Sequence, residues 1–143
     1  MIRRFSINDT KQVMQIWLEG NIDAHNFIPK EYWEANYMSV QTELLKATVF
    51  VYEEHNGKVL GFAGMTGNYL AGIFVDKSVR STGIGKSLLS YIKEIYPSFY
   101  LNVYKKNNRA VKFYLKEGLT RTSESLDELT KEPEYTFTWR KNS

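Results

Sequence analysis

Ile73-Phe74-Val75-Asp76-Lys77-Ser78-Val79-Arg80-Ser81-Thr82-Gly83-Ile84-Gly85-Lys86-Ser87 is the stretch on which the fold turns. An apolar, partly β-branched run passes into a polar loop, and then into a segment with Ile84, Leu88, Leu89, Ile92 and Ile95 at helical spacing. The pattern predicts a strand, a loop and a helix over 83–96. A helix start carries unpaired N–H groups and the positive end of the macrodipole, so it suits a phosphate. Gly83 and Gly85 put no side chain between the backbone and an anion. Arg80 and Lys86 add formal charge beside them.

Three phosphate loops compete for these residues. The G-x-x-x-x-G-K-[ST] loop fits at Gly85-Lys86-Ser87 but meets Arg80 where it needs glycine. The dinucleotide fingerprint fits Gly83 and Gly85, but its third glycine is Leu88 and its place is the first strand–helix turn. The pattern R/Q-x-x-G-x-G/A is met in full by Arg80, Gly83 and Gly85.

Working outward, Ile2–Phe5 reads as a strand, and Asn8 and Asp9 as caps of a helix with Val13, Ile16 and Trp17 on one stripe. Pro29 opens a second helix with Trp33, Tyr37, Val40 and Leu44 at helical spacing. Strands follow at Ala47–Glu53, Val59–Met65 and Tyr69–Val75, the first two joined by a turn at His55-Asn56-Gly57-Lys58. Beyond the glycine helix come a strand at Phe99–Tyr104, a helix at Asn108–Glu117 ended by Gly118, and strands at Leu119–Ser123 and Tyr135–Trp139. The acidic stretch Glu124–Glu134 joins the last two. The order β-α-α-β-β-β-α-β-α-β-β implies one α/β (α+β mixed) domain over 1–143. Its sheet is mixed, mostly antiparallel, with helices on both faces.

Downstream of the glycine loop, Leu101, Val103, Asn107, Ala110, Phe113, Tyr114, Gly118 and Leu119 mark a strand, a loop and a short helix. With Arg80, Gly83 and Gly85 at this separation, the chain resembles the GNAT superfamily of acetyl-CoA-dependent N-acetyltransferases. The likeness is strongest from Val59 to Leu119. The amino-terminal half, with Ile16-Trp17-Leu18-Glu19, His25, Phe27-Ile28 and Tyr32-Trp33, is similar to that of the small stand-alone bacterial members.

The resemblance implies that backbone N–H groups from Arg80, Ser81, Thr82, Gly83, Ile84 and Gly85 hold the pyrophosphate of coenzyme A, with Lys86 beside them. It implies that Ile73, Phe74 and Val75 pair with the pantetheine arm, and that a splay between this strand and Phe99–Tyr104 admits the thioester. Asn107 takes the place of the family's cofactor-contacting asparagine. Tyr114 takes that of the tyrosine that protonates the leaving thiolate. A phenol with a pKa near 10 is protonated at neutral pH and close to a thiol of about 8.5. Lys77 and Ser81 depart from the proline and glycine common in relatives, which concerns loop rigidity rather than cofactor binding. Leu119 replaces a common phenylalanine.

Charge supports an anionic ligand. The net charge is +3, yet residues 77–121 hold ten basic groups against Glu94 and Glu117, a local +8. No nucleic-acid motif accompanies this block, so a compact polyphosphate fits better than DNA or RNA. There is no cysteine, which excludes a thiol acetyl-enzyme and leaves direct attack by a primary amine in a ternary complex. No metal site, secretory signal or membrane span is expected, and a cytoplasmic monomer or homodimer is the natural setting.

His25 is a candidate base or substrate contact, and Phe27, Trp33 and Tyr69 are candidate acceptor contacts. Glu19 and Asp23 are further acceptor-side candidates, and Trp17, Tyr37 and Tyr135 could extend an aromatic pocket. The acidic segment Glu124, Asp127, Glu128, Glu132 and Glu134 could attract a cationic amine. Lysine side chains, peptide amino termini and small amines all qualify. A non-catalytic acyl-CoA sensor on the same scaffold is the alternative.

Overall fold

The structure, a computed structural model, describes residues 1–142; Ser143, last residue of the expected domain, lies outside them. The chain runs β1 (Ile2–Arg4), α1 (Thr10–Ala24), α2 (Lys30–Lys46), β2 (Thr48–Glu53), β3 (Val59–Thr66), β4 (Tyr69–Val75), α3 (Ile84–Ile95), β5 (Ser98–Tyr104), α4 (Asn108–Lys116), β6 (Thr120–Leu126) and β7 (Pro133–Arg140). This is the order expected from the sequence. The strands lie side by side as β1-β2-β3-β4-β5-β7-β6. All neighbours are antiparallel except β4 and β5.

Alternation within the strands splits the core in two. Leu88, Leu89 and Ile92 of α3 and Tyr114 of α4 pack with Phe99, Leu101, Val103 and Phe137 on one face of the sheet. On the other, Val13, Ile16, Trp17, Trp33 and Leu44 of α1 and α2 pack with Val49, Val51 and Phe62. Burying side chains of this size stabilises by about 1.5–3 kcal/mol each before chain entropy is subtracted.

Several details differ from the sequence reading. Ile95, expected on the buried side of α3, is 48% exposed because the helix ends there. Asp9 does not cap α1 with its side chain. Its carboxylate instead accepts from the Ser6 N–H at 2.7 Å and from both terminal nitrogens of Arg3, whose Nε reaches Glu53 at 3.0 Å. The guanidinium holds the Asp9 carboxyl below the usual carboxylate range. The acidic stretch is not a long loop either. β6 runs to Leu126 and β7 starts at Pro133, so only a short turn around Asp127 remains.

The feature that positions the site is the junction of β4 and β5. Gly64 pairs with Gly72 and Met65 with Leu70, leaving Ala71 as an extra residue that bulges β4. Among the described residues, β4 and β5 share one bridge, Tyr69 with Tyr100, supported by the Tyr100 N–H donating to the Asn68 carbonyl at 3.0 Å. Beyond it the strands diverge. Their facing backbone groups then lack a ladder partner, an arrangement that invites an extended ligand.

Candidate active site

The wedge between β4 and β5 opens into a cleft of about 580 Å³. Ile73, Phe74 and Val75 line one wall, and Ala110, Phe113 and Tyr114 of α4 another. The α3 entrance and the end of α1 complete it.

At the α3 entrance Gly83 has φ +92° and no capping side chain. A Cβ there would meet open space, so backbone conformation rather than crowding calls for glycine. A Cβ on Gly85 would stand 3.8 Å from Phe113 and Val75, in ordinary contact. The first-turn N–H groups therefore face the cleft uncovered. Arg80, Lys86, Lys106 and Arg109 bring four positive charges to its lining. This open, donor-rich, cationic entrance fits a diphosphate. Of the residues expected there, Arg80, Ser81, Gly83, Ile84, Gly85 and Lys86 line the cleft. Thr82 is the exception: it is exposed, and its hydroxyl donates to the Val79 carbonyl.

Ser81 has φ +65°, a left-handed conformation that a serine adopts at a cost. Its Oγ accepts from Arg109 at 2.9 Å, which holds the loop to α4. The departure from glycine at this position thus exchanges backbone ease for a cross-link. Ser81→Gly should raise unfolding stability by about 0.5 kcal/mol, strain relief being partly offset by the lost bond and by unfolded-chain entropy. A urea midpoint lower than that of the parent chain would contradict this.

Arg80 pairs with Asp23 at the end of α1, and its hydrogen bond first, then its charge, lowers the Asp23 carboxyl pKa. A carboxylate thus occupies the guanidinium a phosphate would seek, and it stands in the cleft itself. Asp23→Asn should tighten coenzyme A binding by about threefold at low ionic strength, and by less in 0.5 M salt, because exposed charges are screened. Calorimetry at two salt concentrations checks this; equal or weaker binding in both would refute it.

Tyr114 lines the cleft and is 6% exposed. Its ring packs against Phe113 and Phe137. No hydrogen bond engages its hydroxyl among the described residues, although the oxygen is not sealed from solvent. Burial, with a smaller contribution from Tyr69, pushes the phenol's pKa upward. The group is therefore a protonated, uncommitted donor at neutral pH, as a general acid requires.

Asn107 caps α4, its Oδ1 accepting from the Ala110 N–H at 3.2 Å. Its Nδ2 then faces His25 Nε2 at 3.1 Å. His25 is 9% exposed, with Trp33, Tyr104 and Phe27 packed around the ring at centroid distances of 5.3, 5.0 and 5.7 Å. Burial lowers its pKa to about 4, against a weak opposing pull from the Asn21 carbonyl. A neutral ring with its lone pair directed at Asn107 is a poor proton acceptor, which counts against the expected basic role.

The aromatic pocket expected from the sequence is mostly core. Trp33 is 7% exposed and packs edge-on with Trp17, which meets Tyr37 in the same way. Tyr135 belongs to the core on the opposite face of the sheet. Phe27 and Tyr69 stay half-buried, but neither lines the cofactor cleft. Tyr69 sits at the β4–β5 bridge, its ring tilted against that of Tyr100 with centroids 5.1 Å apart. Glu19 accepts from Gln15 on the surface of α1. In the acidic segment, Glu124 and Glu132 are paired with Lys105 and Lys106, and Asp127 accepts from the Tyr104 hydroxyl at 2.6 Å. Glu134 has no ion pair among the described residues; burial first, then Asp127, raises its carboxyl pKa. Arg109 and Lys106 were legible only as members of the basic block, and their convergence on the cleft depends on how α4 docks.

Comparison with known proteins agrees with this geometry. The sequence profile of the acetyltransferase (GNAT) family matches residues 10–119. The chain is 33% identical over 141 residues to the peptidyl-lysine N-acetyltransferase YiaC of Escherichia coli (strain K12), covering 97% of this chain and 96% of that protein. The solution structure of apo-form YjaB from Escherichia coli superimposes with a TM-score of 0.86 at 27% identity, covering 96% and 95% of the two chains. The structure of yncA from Salmonella typhimurium with its cofactor acetyl-CoA shares the fold, with a TM-score of 0.69 at 16% identity over 100% and 94%. No helix among the described residues is long and apolar enough to cross a membrane. A strand wedge, a glycine-opened helix start and a profile match across most of the sequence lead to one assignment: this chain belongs to the acetyltransferase (GNAT) family.

Proposed function

We propose that this GNAT acetyltransferase, acting as a single catalytic unit over 1–143, moves the acetyl group of acetyl-CoA onto the side-chain amine of protein or peptide lysines. The observation that carries the reading is the wedge between β4 and β5, with the free hydroxyl of Tyr114 and the uncovered entrance of α3 opening into one cleft. Acetyl-CoA supplies an activated acyl carbonyl. Arg80, Ser81, Gly83, Ile84, Gly85 and Lys86 would hold its diphosphate, Ile73, Phe74 and Val75 would pair with its arm, and Asn107 would contact it. The residues themselves do little chemistry beyond alignment, and holding two reactants in register accounts for most of the acceleration. Tyr114 keeps a proton at its hydroxyl where a thiolate would need one.

Acceptor recognition falls to the opposite face of the sheet. Tyr69, Asn102, Tyr104 and Glu134 belong to one face by strand register, since Tyr69 pairs with Tyr100, Tyr104 with Glu134, and Thr136 Oγ1 donates to Asn102 at 2.7 Å. Aromatic surface beside an unpaired carboxylate suits an alkylammonium chain. The lysine assignment also draws on the likeness to YiaC, by name a peptidyl-lysine N-acetyltransferase. The test is an acceptor panel of lysine peptides, peptides acetylated on lysine, and small amines, read by thiol release and peptide mass. Lysine-peptide acetylation is the expected outcome. Turnover confined to small amines would replace the acceptor, and acetyl-CoA binding without any turnover would favour the sensor.

A further inference from the structure

The side chains at the α1–α2 corner and at the start of α4 belong to opposite halves of the molecule, 82 residues apart in sequence, yet they meet at His25 and Asn107. Hydrogen-bond logic fixes how they meet. Asn107 spends Oδ1 on the Ala110 N–H, so the group turned to the imidazole is the donor Nδ2. His25 Nε2 must then be the acceptor, which places the ring proton on Nδ1. That Nδ1 is buried without a hydrogen-bond partner. No hydrogen bond of normal geometry forms at Nδ1, and the Asn21 carbonyl is the backbone acceptor that acts on the ring, so the tautomer is set chiefly by the Nε2 contact. The ring is wedged among Phe27, Trp33 and Tyr104, and the Tyr104 hydroxyl is anchored to Asp127.

We propose that His25 is a positioning residue for acetyl transfer: as the neutral Nδ1–H tautomer it fixes Asn107 through Nε2, and so sets the start of the helix that carries Tyr114. The Asn107 amide keeps one further N–H beyond the one His25 engages, and Asn107 lines the cleft. The aromatic wall on the acceptor side is thereby coupled to the helix on the cofactor side. This proposal rests on the acetyltransferase reading for its kinetic consequence, but not for the tautomer itself.

The tautomer is read directly on the unaltered protein by long-range ¹H–¹⁵N spectra of the imidazole. A protonated Nδ1 and a bare Nε2, unchanged from pH 5.5 to 8, are expected. A proton on Nε2, or a ring that titrates near 6.5, would overturn the proposal.

Two variants then separate positioning from proton transfer. His25→Phe keeps the ring among its aromatic neighbours and removes the acceptor; kcat should fall about tenfold, with acetyl-CoA affinity changed by less than threefold. His25→Gln offers an acceptor oxygen near the Nε2 position without a basic nitrogen, and should recover most of the lost kcat with the parent pH profile. A Gln variant as impaired as the Phe variant, or one that loses the acid limb of the profile, would show that the imidazole acts as a base. In an Asn107→Ala background His25→Phe should cost nothing further, whereas full additivity would break the proposed link. If no amine is turned over although the tautomer is as stated, the acetyltransferase reading fails and the hydrogen-bond assignment stands. Turnover undisturbed by His25→Phe would do the opposite, ending the positioning role while leaving the acetyltransferase reading in place.

Discussion

Tyr114→Phe should lower kcat by about a hundredfold, the low end of what one positioned proton donor contributes, while leaving acetyl-CoA affinity within twofold of the parent value. The separation follows from the surroundings of the side chain. The ring is held by Phe113 and Phe137 through contacts that a phenylalanine keeps. The hydroxyl forms no hydrogen bond with the described residues, so its removal orphans no partner and should shift unfolding stability by less than about 0.5 kcal/mol. What disappears is the proton.

Its pH signature is equally specific. Because burial raises the phenol's pKa, Tyr114 stays protonated through neutral and moderately alkaline solution and cannot cause a decline of activity below pH 10. The acceptor has the opposite dependence. A lysine amine with a pKa of about 10.4 attacks only when neutral, so kcat/KM for a lysine peptide should climb with pH across that range. The Phe variant should trace the same rising curve, displaced downward. Thiol-release kinetics from pH 7 to 10, with calorimetry for the cofactor, measure both quantities. A Phe variant with undiminished kcat would remove Tyr114 from the chemistry.

The order of elements was legible because each carries its own period and punctuation. Asn56-Gly57 marks the β2–β3 turn, where Gly57 takes φ +87°, and Gly118 takes φ +90° beyond α4. The wedge was legible only through family resemblance. Its physical origin, the bulge at Ala71, depends on how β4 registers against β3, and no local pattern in Tyr69–Val75 announces it. The site divides along the same line. The residues that the resemblance places at the diphosphate cluster around the paired glycines, and all of them but Thr82 line the cleft.

Aromatic side chains carry no such address. A tryptophan at helical spacing packs a core as readily as it lines a pocket, and Trp33 went to the core because α2 lies directly against α1. His25 was ambiguous for a related reason. A histidine's chemistry is decided by what surrounds it, and three rings and an asparagine amide converge there from four separate segments.

Gly83→Val should weaken coenzyme A binding by about a hundredfold. At φ +92° a valine meets steric conflict between its branched Cβ and the neighbouring peptide, a cost of at least 1–2 kcal/mol. The surrounding space is open, so nothing outside the loop forces the native geometry on the variant. Relaxation toward negative φ is the route that remains, and it would rotate the amide N–H groups of Ile84 and Gly85 away from the cleft. Asparagine tolerates left-handed backbone better, so Gly83→Asn should retain more affinity than valine. Gly85→Ala separates conformation from occupancy, since its added methyl meets only ordinary contacts at 3.8 Å; folding should be unaffected and the loss of affinity under tenfold. The ranking alanine at 85, asparagine at 83, valine at 83 is therefore the expected sequence of declining affinity in calorimetry with acetyl-CoA. A valine variant that is folded and binds like the parent would mean that the diphosphate is held elsewhere, and the roles given to Arg80 and Lys86 would fall with it.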